Sequence, residues 1–322
     1  MWQIIGHEWA VELLRRSLVN GRSAQALLFA GPDGVGKTRL AWALAAALNC
    51  DANDPPCGRC RACGLVARRQ HPDVLLVEPD GARLKIDQVR ELQHTLSLSP
   101  VMGRQRVAIL SQFESATREA ANALLKTLEE PPPHATLVLT ASDAELLLPT
   151  IVSRCRVMAL RPVPVDTIAE ALRTQKGVAA EQAQMLARLA GGRPGWALRV
   201  LEDDGLLAAR GADLDLLEEL VQAGRWERLD AAERLAKRDD LVDLLALWQV
   251  WWRDVQLAAL GCRDLIVNLD RADAVTRAAG HLSAAEAARA VRGLARVRAR
   301  LLRNVNARLA LEAMLLQWQR AH

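Results

Sequence analysis

Residues 31–38 read Gly31-Pro32-Asp33-Gly34-Val35-Gly36-Lys37-Thr38 and fill every required position of G-x-x-x-x-G-K-[ST]. Nothing else in the chain limits the fold so tightly, because a loop of this kind works only between a buried strand and a helix. Both flanks comply. Ala26-Leu27-Leu28-Phe29-Ala30 is an apolar run short enough for a buried strand, and Thr38 to Leu48 is rich in Ala, Leu and Trp with helical spacing. Further strand-like runs lie at 74–77, 107–110 and 136–140, alternating with helical stretches near Ile86–Leu98 and Arg118–Leu128. The second of these stops at Pro131-Pro132-Pro133. Alternation of this kind predicts an α/β domain built on a parallel sheet.

In such a loop the glycines let backbone N–H groups turn toward phosphate oxygens. Lys37 is expected to reach the terminal phosphates of ATP or ADP, and Thr38 to ligate Mg2+. Hydrolysis needs more. A carboxylate at the end of a neighbouring strand usually holds the metal, and the next one activates water. Here Arg106-Val107-Ala108-Ile109-Leu110 runs into Ser111-Gln112 instead. Serine does not hold the metal as aspartate does, and glutamine accepts no proton at neutral pH. Glu114, two residues on, reads as an acid at a helix start. The chain therefore reads as a nucleotide binder lacking its hydrolytic carboxylates.

Four of the six cysteines fall together as Cys50, Cys57, Cys60 and Cys63. Four soft ligands in one short excursion suit a structural Zn2+ site with no open position for catalysis. The excursion is rich in Pro, Gly and Arg, so its fold is expected to depend on the metal. Cys155 and Cys262 are isolated and read as buried side chains. The chain opens without a basic region before an apolar run, and no transmembrane segment is expected. Leu244 to Trp252, its most apolar helical stretch, is short and flanked by Asp243, Arg253 and Asp254. A cytoplasmic location follows as an expectation. With 42 basic against 38 acidic residues, the charge balance does not favour strong autonomous DNA binding. Nine Trp against two Phe and no Tyr suggest core packing rather than a function.

After Arg161-Pro162-Val163-Pro164 the strand signals stop and helical spacing takes over. Gly191-Gly192-Arg193-Pro194-Gly195 and Asp203-Asp204-Gly205 punctuate this part. The reading is an α/β domain over 1–165 with the thiol module at 50–63, a small helical lid over 166–205, and an all-α domain over 206–322. The last helix is expected to begin at a capping box, Ser283 to Glu286, and to run toward Trp318. Its arginines Arg289, Arg292, Arg296, Arg298, Arg300 and Arg303 form no single stripe, so helix packing or a solvated face is favoured over phosphate contact.

Ala121-Asn122-Ala123-Leu124-Leu125-Lys126-Thr127-Leu128-Glu129-Glu130-Pro131-Pro132, with Ser153-Arg154-Cys155, closely resembles bacterial clamp-loader subunits of the AAA+ superfamily. With the glycine loop and the cysteines, the resemblance covers residues 1 to about 200. His71-Pro72-Asp73 and the run Asn304-Val305-Asn306-Ala307-Arg308-Leu309-Ala310-Leu311-Glu312 add to it. Motor subunits of that family, gamma and tau, carry an Asp-Glu pair where this chain has Ser111-Gln112. They also carry a lid arginine where this chain has Gly195. The resemblance implies a non-hydrolysing member of a hetero-pentameric ring with gamma/tau and delta subunits, part of the DNA polymerase III holoenzyme. That ring loads the sliding clamp onto primed DNA. It further implies that Arg154 acts in trans on a neighbouring ATP site, that the zinc module is structural, and that the last domain assembles into a collar. Thr140 and Ser142 fall near the family's sensor position, with Ala141 between them. The alternative is a gamma-like ATPase motor.

Overall fold

The computed structural model describes residues 2–20, 24–203, 205–301 and 305–318. Asp204, Arg303 and Asn304, cited above, lie outside the described residues. By compactness the chain divides into two units, 1–197 and 198–322.

The first unit runs α1 (Glu8–Val19), β1 (Ala26–Ala30), α2 (Lys37–Leu48), α3 (Arg61–Ala67), β2 (Val74–Val77), α4 (Ile86–Ser97), β3 (Arg106–Leu110), α5 (Arg118–Glu129), β4 (Ala135–Ala141), α6 (Pro149–Val152) and β5 (Arg156–Ala159). It continues through α7 (Val165–Lys176), α8 (Ala180–Leu189) and the start of α9 (Pro194–Glu202). All strand pairs are parallel, in the order β2-β3-β4-β1-β5. A parallel sheet must be covered on both faces, and period-two alternation assigns the cover. Leu27 and Phe29 of β1 join a core with Leu40 and Leu44 of α2, while Ala26 and Leu28 join the opposite core with Leu92 of α4 and Leu124 of α5.

Three elements escape the sequence reading. Helix α1 precedes the first strand that periodicity revealed, and α3 sits inside the cysteine excursion. Strand β5 is short and at the sheet edge, with only Met158 of its four residues buried, so no apolar run announces it.

The second unit holds the rest of α9, then α10 (Gly205–Gln222), α11 (Arg225–Leu235), α12 (Leu241–Ala259), α13 (Ala272–His281), α14 (Ala284–Leu301) and α15 (Ala307–Leu315). The expected long last helix is two. Ser283 and Glu286 do form the capping box, with the Ser283 N–H donating to the Glu286 carboxylate at 2.7 Å. The helix ends at Leu301, and Asn306 opens a new one by accepting the Leu309 N–H at 3.2 Å. The tryptophans find their use here. Trp248, Trp252 and Trp318 stack edge-on at 5.3–5.9 Å, and Trp251 meets Trp252 at 5.2 Å. Buried Arg228 donates to the carbonyls of Leu220, Val221, Leu315 and Trp318, satisfying the C-terminal ends of α10 and α15 with one cation. On α14, Ala287, Ala290, Leu294 and Val297 are buried and Arg298 donates to Gln249 at 3.0 Å, so that helix is a packing element.

Candidate functional site: phosphate loop, thiol cluster and Arg154

The phosphate loop leaves β1 at the C-terminal edge of the sheet and enters α2. Gly31, Gly34 and Gly36 have φ of +152°, +77° and +119°, values that side chains resist. The Gly31 N–H donates to the Ala141 carbonyl at 3.1 Å, fixing the loop to the end of β4. A Cβ on Gly31 would strike the Leu160 carbonyl oxygen. Lys37 is buried, and its Nζ donates to the carbonyls of Gly31 at 2.6 Å and Pro32 at 3.1 Å, and to Asp33 Oδ1 at 3.0 Å. The loop thus holds its own cation. Val35 is buried, Thr38 is half-buried at the start of α2, and the His7 ring meets the Val35 carbonyl at 3.1 Å.

Gly195 is where the sequence departs from the lid arginine of motor subunits, and its surroundings supply a steric reason. Its N–H donates to the Gly34 carbonyl at 2.7 Å, and a Cβ there would lie 2.9 Å from that oxygen. The first turn of α9 therefore rests directly on the loop, at a distance that excludes any side chain at 195.

At the end of β3, Ser111 is buried and Gln112 takes a left-handed φ of +49°, its N–H donating to Thr140 Oγ1 at 3.1 Å. Glu114 lies in a single 3-10 turn, and its Oε1 accepts the Ser142 N–H at 2.8 Å. Its other oxygen is buried with no hydrogen-bond partner among the described residues. Thr140, Ser142 and Glu114 thus brace the ends of β3 and β4 against each other.

The four predicted zinc ligands converge. The Sγ atoms of Cys50, Cys57, Cys60 and Cys63 all lie within 4.8 Å of one another. A tetrahedron with Zn–S of about 2.3 Å needs sulfurs roughly 3.8 Å apart, so the donor set fits zinc. Each turn is already wound for it. The N–H groups of Cys57, Cys60 and Cys63 donate to the sulfurs of Cys50, Cys57 and Cys60 at 3.3–3.4 Å. Backbone N–H groups of Arg59 and Cys60 lower the Cys57 thiol to about 6, which favours the thiolate a metal requires, whereas burial pushes Cys63 up to about 12.

Arg154 lies elsewhere. It sits in the turn before β5, whose Arg156 pairs with Leu27, four residues before the loop begins at Gly31. At about 3.3 Å per residue this is roughly 13 Å along the strands, toward their N-terminal ends. Its Nε donates to Glu129 Oε1 at 2.7 Å and its Nη1 to the Thr150 carbonyl at 2.9 Å. Burial pushes the neighbouring Cys155 thiol up to about 11.

A second set of site-shaping residues escaped sequence reasoning. Buried Asp73 accepts the N–H groups of Val101, Met102 and Gly103 at 2.6–2.9 Å, and Asn49 accepts those of Arg104 and Gln105 at 2.9–3.1 Å. Together they fix the segment between α4 and β3. The one sequence signal was His71-Pro72-Asp73, which carried no geometric reading.

Strand order, phosphate loop and thiol module define a P-loop α/β domain of the AAA+ class, followed by a helical unit. Residues 6–164 match the family model described as DNA polymerase III, delta subunit, and residues 207–320 match the model of its C-terminal part. The chain is 36% identical over 255 residues to the DNA polymerase III subunit delta' of Pseudomonas aeruginosa, covering 76% of this chain and 74% of that one. It is 28% identical over 319 residues to the delta' subunit of Bacillus subtilis, covering 96% and 95%. It also matches the tau subunit of Escherichia coli, at 36% over 197 residues, but spans only 30% of that protein's length. Among solved structures, a gamma subunit-related protein of Thermotoga maritima aligns over 97% of this chain and 99% of its own, with a TM-score of 0.48 and 22% identity. The chain belongs to the DNA polymerase III delta' family. Among the described residues, no helix is long and apolar enough to cross a membrane.

Proposed function

We propose that this subunit is a non-hydrolysing stator that donates Arg154 to the ATP site of a neighbouring gamma/tau subunit during sliding-clamp loading. The observation that carries this reading is the separation of Arg154 from the chain's own phosphate loop, at opposite ends of the neighbouring parallel strands β1 and β5. A guanidinium there is out of reach of a nucleotide held at Gly31–Thr38. It is suited instead to stabilise charge on a phosphoryl group presented by another chain.

In this account residues 31–38 hold ATP or ADP with Mg2+ without turnover. Lys37 and the backbone N–H groups would meet the phosphates, and Thr38 the metal. The metal would neutralise phosphate charge, and neither Ser111 nor Gln112 activates water. Cys50, Cys57, Cys60 and Cys63 hold a structural Zn2+. Residues 1–165 serve as the nucleotide module, 166–205 as the lid, and 206–322 as the collar of a hetero-pentamer with gamma/tau and delta. That complex works in the cytoplasm on the clamp and primed DNA.

ATP turnover by the purified chain, alone and mixed with gamma/tau, tests the reading. Negligible turnover alone is expected at any nucleotide occupancy. One observation favours a second reading, a gamma-like motor: the phosphate loop is complete. Robust hydrolysis by the isolated chain would establish the motor in place of the stator. For the zinc, metal analysis of protein purified without chelator should give one Zn2+ per chain. Finding none, with disulfides among the four cysteines, would overturn that assignment.

A further inference from the structure

We propose that Glu129 is the positioning residue for Arg154, an inference that rests on the reading of Arg154 as a cation donated in trans. Glu129 is the last residue of α5, and Arg154 lies in the turn between α6 and β5. Glu129 Oε1 accepts the Arg154 Nε–H at 2.7 Å and also pairs with Nη2, while Nη1 donates to the Thr150 carbonyl at 2.9 Å.

A guanidinium carries five N–H groups. These contacts engage Nε–H and one N–H on Nη2, while Nη1 donates both to the Thr150 carbonyl and, at 3.4 Å, to Ser153 Oγ. The N–H left over on Nη2 lies on the edge of the guanidinium farthest from its stem, and the Ser153 contact is the longer of the two made by Nη1. A pair of phosphate oxygens can accept that Nη2 N–H and, in place of the long Ser153 contact, one on Nη1. Glu129 therefore grips the side-on edge and leaves the end-on edge for an incoming anion. The conformational freedom of a long arginine is already restricted before a neighbour arrives.

The place of Glu129 in its own helix gives a second reason. An acid in the last turn opposes the helix dipole, and Pro131 and Pro132 forbid the helix from extending past it. Helix stability does not ask for a carboxylate here, whereas Arg154 does. Both side chains remain solvent-facing, at 33% and 49% exposure, so the pair contributes little to folding. Loss of Glu129 should consequently act on turnover rather than on assembly.

The test uses the complex reconstituted with gamma/tau and delta, with clamp and primed DNA, and reads single-turnover ATP hydrolysis. Arg154→Ala, Glu129→Ala, Glu129→Gln and the double variant Arg154→Ala/Glu129→Ala are each checked for assembly by size-exclusion chromatography. Glu129→Ala should lower kcat at the neighbouring site about tenfold and leave the KM for ATP within about twofold. Glu129→Gln keeps an acceptor oxygen and should recover most of the loss. In the Arg154→Ala background, Glu129→Ala should add nothing. Wild-type turnover in Glu129→Ala, with Arg154→Ala impaired, would overturn the positioning role and leave the donated arginine standing. An equal loss from Glu129→Ala in both backgrounds would also overturn it. No effect of Arg154→Ala would remove the reading beneath it.

Discussion

The phosphate loop and the Arg154 turn are two ends of one parallel sheet, and they are built in opposite ways. At the loop end, backbone geometry is complete and chemistry is missing. Three left-handed glycines shape a phosphate cradle, yet Ser111 and Gln112 stand where carboxylates would be. At the other end the Arg154 cation is held by a carboxylate, a carbonyl and a hydroxyl. On the proposed reading, the difference separates nucleotide binding from catalysis along the strands, so that each end would serve a different partner.

The comparison can be broken most sharply at Arg154. Arg154→Ala should lower single-turnover hydrolysis at the neighbouring site by at least roughly 100-fold, within the range for donated arginines. Next comes the loop end. Gly195→Ala places a Cβ against the Gly34 carbonyl and should destabilise the contact between α9 and the loop by about 1–3 kcal/mol. Faster amide exchange over 190–197 would report it, with turnover in the complex preserved. Smaller still is Asp33→Asn. It frees Lys37 from its carboxylate partner and should tighten nucleotide binding roughly two- to five-fold, the scale of an exposed ion pair, measured by titration of a fluorescent nucleotide.

The smallest effect contrasts two buried aspartates. Burial raises Asp73, but the N–H groups of Met102, Val101 and Gly103 and the Arg106 guanidinium outweigh it and hold its carboxyl below the usual range. Burial dominates at Asp254, and the N–H groups of Asn268 and Val267, the Asn268 amide and Arg253 only partly offset it, leaving that carboxyl raised. Ionised Asp73 thus contributes stability above the ordinary carboxylate value, lost as pH falls through its lower folded value. Asp254 has the opposite sign: acidification toward the ordinary range protonates the folded form first and relieves a cost. Amide exchange in α12 should slow on mild acidification, once corrected for intrinsic rates, and Asp254→Asn should abolish that gain.

How much was legible beforehand follows from where the information sits. The loop, the four cysteines and strands β1 to β4 announce themselves because short-range spacing fixes them. Strand β5 does not, since an edge strand with one buried residue needs no apolar run. The break before α15 escapes the sequence reading although Asn306 stands at it as an N-cap, because Ala, Leu and Arg on both sides carry the same helical pattern. Glycine at 195 was visible as a missing arginine, but its cause is a contact with Gly34, 161 positions earlier in the sequence, which local reading does not reach. The same holds for Asp73 and Asn49, whose acceptors serve N–H groups from a distant segment.

The division of labour between the two ends is tested most directly by one paired measurement. ATP hydrolysis by the reconstituted clamp loader is compared for Lys37→Ala and Arg154→Ala in this subunit, after both are shown to assemble. Turnover should persist in Lys37→Ala and fall steeply in Arg154→Ala. A steep fall in Lys37→Ala with full turnover in Arg154→Ala would contradict it, because the loop would then be the catalytic end and the arginine a surface ion pair.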